Sequence, residues 1–272
     1  MKAPIKERIV VLRYKPITDE VYGSINHALA EFLRSEFPSD VFTEERLNLP
    51  EMTLPLPTFG DKEPDWTKAR LWVDRPSRFW NDRRTKCIQF FKSFLTVNLL
   101  SVDGEKEWTH SDLFEFFEAL LPFFSNSCRQ LSVSRAGIDY QNVMDFRQLQ
   151  PYTTAEGRTL EIARVLKADI LGRQIDGTTF TPPVIHRFSY SYAPSQADSG
   201  VSPSKLMVQI LLPSQKEPGA WHLDVLLSAE GEFPGFGADS VRKFLSDMHD
   251  IVSKGFQSTF SDEIVYSVRS LQ

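Results

Sequence analysis

The chain has 272 residues, of which 41% are hydrophobic and 25% are charged, and its formal net charge is −5 with histidine neutral. These fractions are those of a globular protein and exclude a disordered or fibrous one. Because the chain has no overall basic charge, a dedicated nucleic-acid binder is disfavoured, although a local basic patch stays open. The 21 phenylalanines predict a well-filled core, since each buried ring removes roughly 150 Å² or more from water.

No segment has the composition of a membrane span, and none is expected to contact a membrane. The apolar stretches at 94–100 and 120–124 are far shorter than the roughly 20 residues of a spanning helix. The apolar run 9–12 is too short for a signal peptide, so we expect a cytoplasmic protein. Cys87 and Cys128 do not form a C-x-x-C pair and are predicted to be reduced thiols rather than a disulfide or a metal pair.

The first part of the chain predicts strands with two helices between them. Residues 8–15 are rich in β-branched side chains and predict a strand, and Thr18 then caps a helix that ends near Glu36. A second helix is predicted over about 110–124. The remaining predicted strands are 41–47, 69–75, 86–100 and 129–147. The run 86–100 is one long strand or two short ones, and 129–147 has a bulge or bend near Gly137. Repeated prolines over 48–66 predict a long surface loop.

The second part of the chain predicts an antiparallel meander followed by a helix. Strand-like runs occur at 160–171, 182–193, 204–213 and 220–230, separated by segments rich in glycine and proline. The helix is predicted from Asp239 to about Phe256, and the tail 262–272 is a candidate last strand. No internal sequence repeat is evident, although a loose similarity in the architecture of the two halves is open.

The order of these elements predicts the fold class. Strands that occur in runs, with few helices between them, indicate an α+β protein rather than a doubly wound parallel sheet. We expect antiparallel or mixed β-sheets with three amphipathic helices packed on one face. A boundary is expected near 150–158, which gives an N-terminal unit of residues 1–150 and a C-terminal unit of residues 151–272.

No pattern for catalysis, metal binding or a cofactor is found. The chain lacks a G-x-x-x-x-G-K-[ST] phosphate loop, a G-x-S-x-G elbow and zinc-ligand spacing. His222 and Asp224 lie on the same side of a predicted strand and could bind a metal or act in base catalysis, but a solvated strand face explains them better. We therefore expect no catalytic residue, no metal and no cofactor, and a cryptic hydrolase built on this pair is the least favoured function.

Residues 70–84 have the composition of a binding surface. Arginine forks bind carboxylate or phosphate groups, and aromatic rings stack on bases or fill a partner's pocket. A plain turn between two strands, with its arginines solvated or paired with Asp74 and Asp82, is the simplest alternative. A protein interface is the next interpretation, and nucleic-acid or nucleotide binding is the last. The candidate binding residues are Arg70, Trp72, Arg75, Arg78, Trp80, Arg83 and Arg84.

Several short motifs, taken in their order, resemble a sporadically distributed family of uncharacterised bacterial proteins of about this length. The motifs are Phe37-Pro38, the R-x-W-V-D-R stretch before an R-R pair, Arg135–Asn142, Leu223–Val225, Met248–Asp250, Gly255-Phe256 and Ser261–Glu263. The family usually has L-R-Y-I-N where this chain has A-G-I-D-Y-Q-N. No activity is established for the family. The resemblance implies carriage on mobile elements, and with it a role in phage defence or in a toxin–antitoxin pair.

The predicted function is that of a non-catalytic binding or assembly subunit. The expected partner is another protein or a second copy of the chain, and the alternative is a nucleic acid. The expectation follows from the lack of a catalytic pattern beside a segment rich in arginine and tryptophan.

Overall fold

The computed structural model describes residues 5–46, 76–101, 108–128, 130–144, 152, 162–167, 186–192, 203–212 and 223–269. The predicted loop at 48–66 and the predicted strand at 69–75 lie outside these residues. Of the predicted boundary region, only Tyr152 is described, so the division into two units stays a prediction.

The strands of the described residues form one sheet in which each pair is antiparallel. In chain order they are β1 (Ile5–Tyr14), β2 (Thr43–Arg46), β3 (Ser77–Trp80), β4 (Lys86–Phe90), β5 (Phe94–Leu100), β6 (Val133–Met144), β7 (His186–Tyr192), β8 (Pro203–Leu212) and β9 (Leu223–Glu232). Their order across the sheet is β2-β3-β4-β5-β1-β6-β9-β8-β7. The predicted strand 86–100 is therefore two short strands.

The helices of the described residues are α1 (Asp19–Glu36), α2 (His110–Ala119), α3 (Leu121–Ser127), α4 (Ile162–Val165), α5 (Ala238–Thr259) and α6 (Asp262–Arg269). The predicted cap of α1 is confirmed, since Thr18 Oγ1 accepts a hydrogen bond from the Val21 amide at 3.4 Å. The helix predicted over 110–124 is two helices, because Pro122 lies at the start of α3, where a missing N–H costs least. None of the described helices has the length and apolar composition that a membrane crossing requires.

Two predicted strands are helical where the structure describes them, one because of local contacts and the other because of a long-range contact. In the tail, the Ser261 hydroxyl accepts from the Ile264 amide at 3.4 Å, and acidic side chains occupy the first turn of α6, where the helix dipole favours negative charge. The run 160–171 contains the single turn α4. This turn is joined to the end of α5 by a hydrogen bond of 3.0 Å from the Lys167 amide to the Thr259 carbonyl, a contact between chain segments that are distant in sequence.

The sheet has a similar arrangement of elements on each side of its central pair, β1 and β6. Strand β1 pairs with β5, the last strand of the first meander, and β6 pairs with β9, the last strand of the second. Helix α2 follows the first meander and α5 follows the second. The described elements thus have the loose similarity between halves that the sequence left open.

One face of the sheet forms the core with the helices. Val10 pairs with Val97 and Ile138, and all three side chains are fully buried. They belong to one cluster with the apolar sides of α1, α2 and α5. Each large side chain buried in this way contributes roughly 1.5–3 kcal/mol. The predicted α+β class, with amphipathic helices packed on one face, is confirmed.

The bulge or bend predicted near Gly137 does not fall on Gly137 itself, although β6 has a register shift against β1 between Val133 and Arg135. Gly137 pairs in continuous register with Val11 on one side and with Glu230 on the other. A Cβ at this position would lie 2.4 Å from the Ala229 carbonyl oxygen. Glycine is therefore required for the close approach of β6 and β9, which is a second common reason for glycine in a strand.

Candidate binding face of the sheet

Four of the predicted binding residues lie on the hairpin that joins β3 to β4. Asn81 sets its turn, because the Asn81 Oδ1 atom accepts from the backbone amides of Thr85 and Lys86 at 2.8 and 2.9 Å. Asn81 Nδ2 also donates to the Thr85 hydroxyl at 3.1 Å. The turn is thus held by a buried side chain, which leaves Arg83 exposed at its tip.

Arg84 has a backbone conformation that is costly for an arginine. Its φ is +57°, in the left-handed region that disfavours residues with a Cβ by roughly 1–2 kcal/mol. Its Nη1 atom donates to Glu45 Oε2 at 3.0 Å, and its guanidinium lies 5.2 Å from the centre of the Trp80 ring. The arginine therefore covers the indole from the end of the hairpin, and strain of this kind is concentrated at functional sites.

Arg78 and Trp80 project from the sheet face opposite the helices. Phe79, between them in β3, is buried in the core, and successive strand residues point to opposite faces. Cross-strand pairs extend this second surface, here called the polar face, over two rows of side chains. The rows are Arg78, Gln89, Thr96, Val11, Gly137, Glu230 and Trp80, Cys87, Asn98, Ile9, Asp139, Ser228.

The polar face contains buried polar atoms without hydrogen-bond partners. They are Trp80 Nε1, Thr96 Oγ1 and Asn98 Oδ1, together with Arg135 Nε on β6, and the residues Thr96 and Asn98 are only 8% and 1% exposed. A buried polar group that lacks a partner costs roughly 1–3 kcal/mol. Trp80 lies on β3, and Thr96 and Asn98 lie on β5, with β4 between these two strands. Three of the four atoms are therefore on the side of the face that carries the Arg84 hairpin.

The opposite end of the polar face holds paired charges. Arg13 Nε donates to Glu230 Oε1 at 2.6 Å, and Arg135 Nε lies 3.6 Å from the same oxygen. Asp139 accepts a hydrogen bond from the Ser228 hydroxyl. Burial raises the pKa of Asp139 above its usual value, and the Ser228 hydrogen bond opposes this effect. The charges at this end of the polar face therefore largely neutralise one another.

The two cysteines are free and buried, in agreement with the prediction of reduced thiols. Burial raises the pKa of both Cys87 and Cys128 to about 12. Each thiol is therefore protonated at neutral pH, and the thiolate that a nucleophile requires is not populated. Cys87 serves as a small side chain of the polar face.

Sequence analysis missed a cluster of aromatic and titratable side chains on the helical side. The His110 and His249 rings stack with centroids 4.1 Å apart and planes 17° from parallel. The Tyr140 hydroxyl lies 2.9 Å from His249 Nδ1. Near-parallel stacked rings cannot direct lone pairs to one shared metal ion. Within the described ranges, no group of three or more His, Cys, Asp or Glu side chains could hold a metal.

The structure brings together part of the predicted site. Arg78, Trp80, Arg83 and Arg84 share one hairpin, whereas Arg70, Trp72 and Arg75 lie outside the described residues, as does His222. Asp224 pairs through its backbone with Val143 and Leu211 in the sheet. Of the arrangements that the sequence left open for the arginines, pairing with Asp82 is not used by Arg78 and Arg84, whose side chains donate to Gln89 and Glu45.

The comparisons with known proteins add no family to this geometry. The chain matches no model of a protein family, and no curated protein is significantly similar to it.

Proposed function

We propose that the chain is a non-catalytic binding subunit that holds a protein partner on the hairpin between β3 and β4 and on the adjoining part of the polar face. The observation that carries this proposal is the pairing of a strained, exposed Arg84 with a Trp80 indole whose N–H has no acceptor. Tryptophan and arginine are the side chains most enriched among residues that dominate protein interfaces.

The chemistry of the hairpin indicates the kind of partner. Arginine side chains only donate hydrogen bonds, so the partner must supply acceptors. Arg83 is exposed, and the Arg84 side chain is 57% exposed. A partner carboxylate can take the place of Glu45 on the Arg84 fork, because arginine binds carboxylates with two parallel hydrogen bonds. We infer that the partner presents an acidic segment.

A protein partner accounts for the charges better than a nucleic acid does. Arg78, Arg84 and Arg13 already donate to Gln89, Glu45 and Glu230. Because these cations are already engaged, the described part of the face lacks the run of unpaired cations that a phosphate backbone needs, whereas one partner carboxylate needs only a single arginine fork. The link to phage defence or to a toxin–antitoxin pair comes from the family resemblance and is an expectation about the partner's identity.

Affinity capture with matched variants of the full chain tests the proposal. Trp80→Phe keeps an aromatic ring and removes the N–H, and a double variant, Arg83→Ala with Arg84→Ala, removes both exposed cations. Arg34→Ala and Lys254→Ala are the controls, because each removes an exposed cation from α1 or α5. We expect one protein to be retained by the wild type and both controls. Its directly measured affinity should fall at least about tenfold in the hairpin variants.

Two other outcomes would reject this function, and a third would identify the partner. A partner that the hairpin variants retain at full affinity would place the interface elsewhere. Retention of nucleic acid that falls steeply as salt is raised would favour the alternative function, because neutralised phosphates release counterions. Self-association in sedimentation experiments, lost in the hairpin variants, would identify the partner as a second copy of the chain.

A further inference from the structure

Helices α2 and α5 contact each other at two places that differ in chemistry. At the first, Arg242 donates to both carboxylate oxygens of Glu118 at 2.7 and 2.5 Å. At the second, His110 stacks on His249. Glu118 is near the end of α2 and Arg242 near the start of α5, so the two helices run in opposite directions and the contacts lie at opposite ends of the pair.

The histidine contact is built for neutral imidazoles. The Tyr140 hydroxyl lies 2.9 Å from His249 Nδ1, and the Ser253 hydroxyl lies 3.4 Å from Nε2 of the same ring. If Tyr140 donates, Nδ1 must be unprotonated, because a protonated nitrogen has no lone pair to accept the hydrogen bond. Phe114 lies edge-on to both imidazoles, with centroid distances of 5.7 Å to His110 and 6.4 Å to His249.

The charged groups around the stacked rings have opposite effects on the protonation of the two histidines. Arg8 on β1 disfavours protonation of both histidines, whereas Asp250 on α5 favours it for both and Asp112 on α2 favours it for His110. Tyr140 on β6 is neutral, since burial raises its pKa far above its usual value. His110 is also the first residue of α2, where the helix dipole disfavours positive charge.

Burial is the largest influence on both rings. It lowers the pKa of His249 to about 4, with the neighbouring His110 as the second cause. It also lowers the pKa of His110, with Arg8 as the next cause. Both rings are therefore neutral at pH 7, as the stacked geometry requires.

We propose that the stack of His110 on His249 is a pH-sensitive latch between α2 and α5. Protonation of His249 removes the acceptor for the Tyr140 hydroxyl and places a second positive charge near Arg8. The contact then opens, while the Glu118–Arg242 pair keeps the other end of the helices together. Because α2 follows the first meander and α5 the second, the latch joins the two halves of the molecule. This inference is independent of the proposed partner.

Hydrogen exchange of the full chain at pH 7 and pH 5, corrected for the pH dependence of intrinsic exchange, tests the latch. In the wild type, opening of the first turns of α2, over 110–116, should increase about tenfold at pH 5. Amides around Glu118 and Arg242 should change much less. In His249→Asn the side-chain oxygen still accepts from Tyr140 and cannot titrate, so the increase at 110–116 should be lost.

A second variant and a direct titration keep the inference testable if His249→Asn folds poorly. In Tyr140→Phe the hydroxyl partner of His249 is missing, so the imidazole resonances of His249 should titrate at higher pH than in the wild type. An acid response at 110–116 that is equal in wild type and His249→Asn would overturn the latch. So would an equal response at both ends of the helix pair, or an unchanged His249 titration in Tyr140→Phe.

Discussion

At Gly137, the missing side chain is what allows β6 and β9 to pair. An alanine Cβ there would lie 2.4 Å from the Ala229 carbonyl oxygen, a backbone atom that cannot turn aside. We expect Gly137→Ala to lower the free energy of unfolding by roughly 1–3 kcal/mol, measured by urea denaturation. The expected loss of stability comes from this steric clash within the sheet and does not depend on any partner.

Gly23 provides the matched control for this substitution. It lies in the interior of α1, and a Cβ at this position would meet nothing within 4 Å. Gly23→Ala should raise the free energy of unfolding by roughly 0.5–1 kcal/mol, because alanine loses less backbone entropy in a helix. If Gly137→Ala raises the free energy of unfolding as Gly23→Ala does, the close approach of β6 and β9 is not the reason that glycine is required at position 137.

A substitution at Arg84 should affect the stability of the chain and its affinity for the partner in different ways. Arg84→Gly relieves the left-handed backbone at φ +57°, which should gain roughly 1 kcal/mol. It also removes an exposed ion pair with Glu45, which contributes little. We expect the midpoint of urea unfolding to be unchanged or higher, while affinity for the partner falls. A variant that is clearly destabilised, or that binds normally, would show that the arginine has a structural role only.

The N-terminus of α2 is fixed by a capping box. Thr109 Oγ1 accepts from the Asp112 amide at 3.2 Å, and the Asp112 carboxylate accepts from the Thr109 amide at 2.7 Å. Thr109→Ala should cost about 1 kcal/mol of stability, measured by thermal or urea unfolding. It should also increase amide exchange over 110–116 at pH 7, because the cap positions the first turn that carries His110. Unchanged exchange there would contradict this account of the helix end.

The packing of α2 against α5 makes stability depend on pH. His249 has a pKa of about 4 in the folded chain against 6.5 for an ordinary histidine, so below pH 6.5 the unfolded state binds more protons. Stability should therefore fall as pH decreases from 6.5 towards 4. The His249 contribution should be roughly 2 kcal/mol, less than the full shift implies because the ring is partly solvated. The difference between wild type and His249→Asn measures it, and parallel pH profiles would refute it.

The elements that could be predicted from sequence are those whose signals are local. Helix α1 carries its own cap at Thr18, two acidic residues in its first turn and a proline after its end. Strand β3, by contrast, lies between two predicted strands and was not itself predicted. Tail helix α6 was missed because its short apolar pattern fits a strand as well as a helix. The contact of His110 with His249 could not be predicted, since 139 positions of chain separate the two rings and only the tertiary packing of α2 on α5 joins them.

At the scale of the whole molecule, a continuous sheet unites both parts of the chain. Strand β1 pairs with β5 and β6, and the described apolar side chains from both halves belong to one core cluster. We expect the chain to unfold in one cooperative transition, because the β1–β6 contact cannot be lost without exposing that core. Coincident urea transitions by tryptophan fluorescence and far-UV circular dichroism would agree with this expectation. Two separate transitions would show that the halves are independent.

The two faces of the sheet differ in composition. The helical face is filled by apolar side chains, whereas the polar face combines orphaned hydrogen-bonding atoms with the hairpin that carries Arg83 and Arg84. In the proposed complex the partner contacts the exposed arginines of the hairpin and avoids the surface on which folding depends.

Site-specific photo-crosslinking tests this binding surface most directly. A photoreactive amino acid is placed at position 83, at the tip of the hairpin, and in a separate protein at position 254, an exposed site on α5. Expressed in the native cells, the chain labelled at position 83 should form a crosslink to one protein, and the chain labelled at position 254 should not. Crosslinks at position 254 alone, or none at position 83 while the partner still co-purifies, would contradict the account.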